Sequence, residues 1–503
     1  MARINWNEPR FDSGALEEIS EVIRDSYVNE GPKTCELEEM IRNYLGVKYV
    51  VLTTSATAAL FLALKADAVI RGLEDFEVIV PDMTMIATAN AVSWAGGTPI
   101  FVDVEIARGT IDASKIEVAI SNKTAAIVPV HTLGRSAEME RIMDVAIRNN
   151  LTVIEDAAGA LGSKNGEKFL GTIGKVGCFS LQSNKIVTCG QGGIIVTDDD
   201  KYYEMIRRLR DFGRLSNKEF LHEIEGYNLK FNDLSAALAL SQFKGIERRK
   251  AMLVEQWKFY AERLVNVDEV KFPVVDLNKG EVPIWVDVLV EDRDELIDYL
   301  KSFDVHCRAC WPSVHRNPAY RQDSVVGGRG VGGSDELVEF RFEGADYFAD
   351  NCVWLPNGPA IDVEQMSFVC EKIEEFYSSP KEVKFEKIHE DSRGAIHLAE
   401  GLLKGGKEFT FLEVKKGAAR GGCVHDKDEY MVIVSGAIRY ICGDSEEVLR
   451  VGDSRMIPAG KAHAFIGIED AIVSEWGITS GEKKMDVKDS EMRAMVDRVN
   501  EGR

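Results

Sequence analysis

Through the first 250 residues, apolar and polar positions switch between two periods. Stretches of helical period, Ala15 to Arg24 and Thr34 to Tyr44, lead into short apolar runs at Tyr49-Val50-Val51-Leu52 and Glu77-Val78-Ile79-Val80. The series continues with Ala125 to Val130, a helical stretch from Glu138 to Asn149, and the run Leu151 to Ile154. Uninterrupted apolar strands separated by amphipathic helices predict a parallel sheet with helices on both faces. In such sheets ligands collect beyond the C-terminal ends of the strands. A long helical region from Asp233 to about Val265 then leads into a smaller segment.

Around Ser378-Ser379-Pro380-Lys381 the pattern changes. Short strands now recur at regular intervals, at Phe409 to Val414, Tyr430 to Val434, Ala437 to Cys442 and Ala464 to Ile468. No long helix is expected before about Ser490, so a separate small β-barrel is predicted. The expected organisation is an α/β domain over 1–377, divided into a large part (about 1–250) and a small part (about 251–377). A barrel over 384–485 and a helical tail over 486–503 follow. The run Val325 to Gly333 has glycines spaced like a dinucleotide fingerprint, but it follows no clear strand and opens no helix, so it reads as a loop.

A net charge of −22 disfavours nucleic acid or an anionic membrane as partner, since both require a basic face. The N-terminus has no apolar signal core and no run reaches membrane-spanning length. Nine cysteines without framework spacing fit a reducing cytoplasm. The lone C-x-x-C at Cys307 and Cys310 has neither a second pair nor a thioredoxin-like context, so it reads as structural.

The chemistry concentrates in Ser180-Leu-Gln-Ser-Asn-Lys185, followed by Gly190-Gln-Gly-Gly193, with Val153-Ile-Glu-Asp156 upstream. A lysine amine in a polar turn beside a glycine-rich loop can form a Schiff base with an aldehyde cofactor. An aspartate at the end of a buried strand can keep a pyridine nitrogen protonated, making the ring an electron sink. Alone, such a lysine is ordinarily a solvated surface group and such an aspartate a helix cap. Together Lys185 and Asp156 point to pyridoxal phosphate (PLP). Leu52 to Leu60 reads as a strand, a hydroxylated turn and a helix start, which suits a phosphate or a simple N-cap by Ser55 or Thr57.

The ordered motifs Glu155-Asp-Ala-Ala158, Gly171-x-x-Gly174-x-x-Gly177-Cys-Phe-Ser180 and Ser180-x-x-x-Asn184-Lys185 resemble the DegT/DnrJ/EryC1 family of sugar aminotransferases, over roughly residues 5 to 377. The resemblance implies a fold-type-I PLP transferase in which Lys185 holds the cofactor and shuttles a proton. It implies that Asp156 keeps the pyridinium charged, and that the Ala56 backbone, Thr57 and Ser180 contact the phosphate. Met85 stands where the family stacks an aromatic on the ring, and Gly159 where it has Gln. The segment Gly226 to Asp233 is similar to one whose Asn reaches a partner subunit's phosphate. Asn228 thereby implies a homodimer with shared active sites. Lys230 replaces an arginine there, keeping the charge without the planar fork. Trp311 to Tyr320 is similar to a substrate-side segment, with His315 as its histidine. The implied substrates are a nucleotide-linked keto sugar and glutamate as amino donor.

Beyond 384, Gly421-Gly-Cys423-Val-His425 with Glu429 and Gly436, then Gly452, Pro458-Ala-Gly460 and His463, resemble the two cupin motifs. Cys423 stands where the first His belongs and Gly467 where the final Asn belongs. Cys423, His425, Glu429 and His463 are candidate ligands for a divalent metal. The same residues equally suit a metal-free sugar pocket. Asp391-Ser-Arg-Gly394 is similar to the opening of nucleotide-sugar epimerases and ketoisomerases, which use a His base. The reading is a cytoplasmic two-domain enzyme: a PLP aminotransferase followed by a cupin that isomerises or binds the sugar. The rivals are a PLP-dependent sugar dehydratase, against which the retained Lys185 argues, and a non-catalytic sugar- or metal-sensing regulator.

Overall fold

The computed structural model describes residues 3–216, 219–320, 329–330, 334–337, 341–378, 384–400, 409–425, 428–476 and 490–501. Most of the Val325 to Gly333 loop, and the linker from Ser379 onward, lie outside the described residues. The chain forms two compact units, 1–377 and 378–503.

In the first unit, helices α1 (Ala15–Asp25) and α2 (Pro32–Leu45) lead into β1 (Tyr49–Thr53), and α3 (Ala56–Arg71) follows. Next come β2 (Glu77–Pro81), α4 (Ala87–Ala95), β3 (Thr98–Val102), β4 (Thr124–Ile127), β5 (Thr152–Asp156), β6 (Val176–Ser180) and β7 (Gly193–Thr197). These strands form one seven-stranded sheet in the order β1-β7-β6-β5-β4-β2-β3. Its strands read as unbroken apolar runs because both faces are covered. Ile154 and Ile195 pack on one side with Leu60 and Leu62 of α3, while Ile194, Val196 and Phe179 pack on the other with Leu37 and Ile41 of α2.

Strands β2 to β6 run parallel, whereas β7 runs antiparallel to both β1 and β6. This departs from the all-parallel sheet predicted above. The segment 181–192 joins β6 to β7 without a helical crossover, so two adjacent strands joined this way reverse direction. That connection carries Lys185. The helical region expected from Asp233 to about Val265 consists of two helices, Asp233–Phe243 and Ile246–Arg263, separated at Lys244-Gly245.

The smaller part holds an antiparallel sheet of β8 (Val286–Leu289), β9 (Arg308–Ala309) and β10 (Cys352–Leu355), in the order β8-β10-β9. The C-x-x-C motif is divided between two cores. Cys307 packs with Val305 and Leu300, whereas Cys310 packs with Trp285 and Trp354, and burial pushes the Cys307 thiol up to about 12.

Among the described residues, the second unit is all β until Ser490. Its strands are β11 (Lys384–Asp391), β12 (Gly394–Glu400), β13 (Phe409–Val414), β14 (Ala419–Cys423), β15 (Glu429–Ser435), β16 (Ala437–Cys442), β17 (Ser445–Arg450), β18 (Ser454–Ile457), β19 (His463–Gly467) and β20 (Ala471–Trp476). They form a six-stranded sheet, β11-β12-β13-β20-β15-β18, and a four-stranded one, β14-β19-β16-β17. Alternate residues of β13 turn inward, and Met431, Ile433, Ile438, Phe465 and Val473 from both sheets fill the core. The helix Ser490–Glu501 docks on this unit through Asn500, which exchanges two hydrogen bonds with the Ala419 backbone at 2.9 and 3.0 Å. Among the described residues no helix is long and apolar enough to cross a membrane.

Candidate active site

The C-terminal ends of β1, β5 and β6 open into a cavity of about 490 Å³. Asp156, the last residue of β5, lies on its lining and is 5% exposed. Its Oδ2 accepts from Thr88 Oγ1 at 2.7 Å and its Oδ1 from the Ala158 amide at 3.1 Å. Burial pushes its carboxyl above the usual range, opposed by these donors and by the charge of Lys185. A buried anion with spare acceptor capacity is completed by a cation brought from outside.

Glu155, its neighbour, faces the opposite way and does a different job. Its carboxylate accepts from the amides of Gly171 (2.8 Å), Ile173 (2.6 Å) and Gly174 (2.5 Å), and pairs with His131 Nε2 at 2.8 Å. His131 Nδ1 accepts from the Ala137 amide, so the ring proton sits on Nε2, toward Glu155. The glycine-spaced segment thus wraps one buried carboxylate. A Cβ at Gly177 would meet Gly171 O at 1.8 Å, so only glycine lets the wrap close. Through the backbone of β5, this cage fixes where Asp156 points.

Lys185 is held from both sides. Its amide donates to Gln182 O at 3.0 Å, and the preceding carbonyl, Asn184 O, accepts from Trp285 Nε1 at 3.1 Å. Lys185 Nζ lies 4.9 Å from the Trp285 ring centroid. Burial lowers this amine to about 8, against the pull of Asp156. An amine so lowered is about a tenth neutral at pH 7, a far larger nucleophilic fraction than an ordinary lysine has.

At the other end, Ser55 caps α3, its Oγ accepting from the Ala58 amide at 3.1 Å. The first two helical amides, of Ala56 and Thr57, lie where a helix has no internal acceptor, and both residues line the cavity. Gly193 passes so close that a Cβ there would meet Ser55 O at 2.2 Å. Ser180, at the end of β6, completes this rim, its Oγ accepting from the Gln182 amide at 3.2 Å. Together with Asp156 and Lys185, this donor set fits PLP: an anion site at a helix N-terminus, a buried carboxylate for the ring nitrogen and an amine for the aldehyde.

Met85 and Gly159 also line the cavity. Met85 Sδ accepts from the Ala87 amide at 3.1 Å at the start of α4, while the side chain remains 48% exposed. At Gly159 a Cβ would meet Ile284 Cδ1 at 3.2 Å. Ile284 occupies the room that a glutamine there would need. The far wall comes from Trp311, which opens the substrate-side segment named above, and from Trp285, Trp354 and Arg308, which the sequence reading passed over. Thr88 and His131 were also passed over. A polar residue just beyond a strand, as His131 is to β4, was the available signal.

Three other candidates lie away from this cavity's lining. Asn228 and Lys230 line a separate basic groove with Arg207, Arg208, Arg210 and Arg214, and Lys230 Nζ pairs with Asp211 at 2.8 Å. His315 is bound up with acids: its Nδ1 meets Asp82 Oδ2 at 2.5 Å and its Nε2 lies 3.7 Å from Asp346. The hydrogen bond to Asp82 raises its pKa.

In the second unit His425, Glu429 and His463 offer ligand atoms that all lie within 4.8 Å of one another. His463 is 2% exposed, and burial, reinforced by His425, lowers it to about 4. Cys423 stands opposite His463 in the β14–β19 register, and its side chain lies outside the described residues. The Asp391-x-Arg393-Gly394 motif serves the β11–β12 turn. Asp391 accepts from the Arg393 amide at 2.8 Å and from Arg393 Nε at 2.9 Å, and Arg420 closes on it at 3.3 Å.

A mostly parallel sheet ending in a lysine, a buried aspartate and a helix N-terminus defines an aminotransferase-type PLP site. The chain belongs to the DegT/DnrJ/EryC1/StrS aminotransferase family, whose model matches residues 9–374, and a cupin domain model matches residues 410–476. It is 31% identical to GDP-perosamine synthase of Escherichia coli O157:H7, over 75% of this chain and 100% of that one. Against GDP-perosamine synthase of Caulobacter vibrioides the identity is 34%, over 64% of this chain and 87% of that one. Among solved structures, DesI, crystallised in the presence of its TDP-sugar product, matches with a TM-score of 0.66 and 26% identity, over 75% of this chain and 93% of that one.

Proposed function

We propose that the protein transfers an amino group to a nucleotide-linked keto sugar, with glutamate as donor, and that the cupin serves the same class of sugar. The single observation that carries this reading is the joint placement of Lys185 and Asp156 on one cavity whose other end is the α3 N-terminus. The named activities of the relatives, a GDP-sugar synthase and an enzyme with a TDP-sugar product, support the substrate class. The described cysteines are all unpaired thiols, which supports a reducing, cytoplasmic setting.

When bound, PLP supplies an electron sink for charge developing at the substrate carbon. The chain's own residues do the rest. Asp156 holds a proton on the ring nitrogen by offering a buried negative charge. The amides of Ala56 and Thr57, with Ser180, orient the phosphate. Lys185, lowered to about 8, would hold the aldehyde through its free amine, and as a free amine it can take and return a proton at its Nζ. Trp285 keeps that amine beside the ring rather than in solvent.

In this reading Asn228 and the basic groove belong to a dimer in which each subunit completes its neighbour's site. The His425, Glu429 and His463 cluster supports a divalent metal in the cupin. The test is absorption. Holoenzyme mixed with L-glutamate should lose its carbonyl-form band and regain it on adding the correct nucleotide keto sugar. Lys185→Ala should abolish both changes and any borohydride-reducible adduct while the fold persists. A mutant that keeps the reducible adduct would overturn the assignment of Lys185.

A further inference from the structure

The cavity lining contains one cation that the cofactor does not use. Besides Lys185, the only lysine or arginine on it among the described residues is Arg308, from β9. Among the described residues Arg308 forms no ion pair, and it is exposed while lining the cavity. Its guanidinium carbon lies 5.2 Å from the Trp6 ring centroid. Across the sheet its register partner is Trp354.

Trp6 belongs to a packed group of four tryptophans. Trp6 stacks on Trp354 at 5.3 Å and meets Trp285 at 4.9 Å, while Trp354 meets Trp285 at 4.6 Å and Trp311 at 4.8 Å. One face of this group covers Lys185 Nζ and another carries Arg308. The two cavity cations are therefore held by one rigid aromatic block. A guanidinium laid on an indole loses less freedom on binding and keeps its planar fork of donors for a ligand.

The charges decide what that ligand is. Asp156 would answer the ring nitrogen, the α3 amides would answer the phosphate, and Lys185 would be taken up by the cofactor's aldehyde. Arg308 is left uncompensated, and each substrate of the proposed reaction is an anion. We propose that Arg308 clamps the anionic group of the incoming substrate, either the carboxylate of the amino donor or the diphosphate of the nucleotide sugar. The proposal rests on the transamination reading, and its test separates the two.

Holoenzyme, Arg308→Gln and Arg308→Lys are compared in two arms. The first follows the absorption change on titrating L-glutamate. The second measures binding of GDP, UDP and dTDP by calorimetry, with no turnover involved. Arg308→Gln should weaken at least one arm by tenfold or more, which is about 1.4 kcal/mol. Arg308→Lys should lose less, and the cofactor band and melting temperature should stay at wild-type values. Loss in the glutamate arm alone assigns the clamp to the donor carboxylate. Loss in the nucleotide arm alone assigns it to the diphosphate, and loss in both means the two anions use it in turn. Unchanged affinity in both arms overturns the proposal. A wild type that does not respond to glutamate would instead sink the transamination reading, and the nucleotide arm would still judge Arg308.

Discussion

Lys185 Nζ lies 4.9 Å from the centre of the Trp285 ring, and the same indole donates through Nε1 to Asn184 O at 3.1 Å. One side chain thus covers the reactive amine and ties down the backbone that carries it. The lowering of Lys185 from 10.5 to about 8 comes first from burial. That drop corresponds to ~3 kcal/mol, against ~1 kcal/mol for a cation over an aromatic face. Exclusion of water wins, so the ring favours the neutral amine.

Cofactor loading onto apoenzyme should therefore follow this titration. Below about 8 Lys185 is an ammonium ion and cannot attack an aldehyde, so the loading rate should climb with pH and level off above that value. Trp285→Leu admits water, so the midpoint should move up toward 10.5. Stopped-flow absorption across a pH series checks both. A midpoint that stays put or falls would mean that the ring acts mainly as a cation partner.

Asp156→Asn should fold, because its amide oxygen can still accept from the Ala158 amide while the Thr88 hydroxyl turns to Met85 O and accepts from the new amide nitrogen. It removes the charge that keeps the ring nitrogen protonated. Transamination should fall by roughly a hundredfold or more, while the borohydride-reducible adduct still forms. Single-turnover kinetics beside a reduction assay would separate the two effects.

Gly193→Ala should damage the phosphate end specifically. The added Cβ would meet Ser55 O at 2.2 Å and Ala56 N at 2.9 Å, both backbone atoms with little room to move. Overpacking of this kind costs about 1–3 kcal/mol. Denaturant midpoints should drop accordingly, and PLP affinity should weaken more than that of a Gly14→Ala control, where no atom lies within 4 Å and φ is −69°.

Cutting the chain between Tyr377 and Lys384 should leave two folded pieces, since each unit has its own buried core. The first should still exchange amino groups. The second should melt cooperatively and bind a divalent metal through His425, Glu429 and His463, which His463→Ala should abolish in calorimetry. If the cupin isomerises, His425→Ala in the full chain should block only the sugar isomer that needs rearrangement.

Much of this was legible in the chain itself. Unbroken apolar runs, glycine spacing and the Asn184-Lys185 pair are local signals, and local propensity is enough to place α1, α2, β1, β2 and β13 within a few residues. Lys185, Asp156, Ala56, Thr57, Met85 and Ser180 sit on one cavity because strand ends in such sheets share an edge. The reversed strand β7 was not legible, because an apolar strand carries no mark of its direction.

What only the tertiary structure decided is the set of partners. Trp6, Trp285, Trp311 and Trp354 are isolated in sequence, and they become one block because β8, β9, β10 and the N-terminal segment converge there. His315 resembles a substrate-side residue in sequence, yet the fold sets it against Asp82, a contact across 233 positions. Sequence carries a residue's chemistry and its local period. Distance, burial and charge neighbours arise only when remote segments pack, and those set Lys185 near 8 and leave Arg308 on the cavity lining with no ion pair among the described residues.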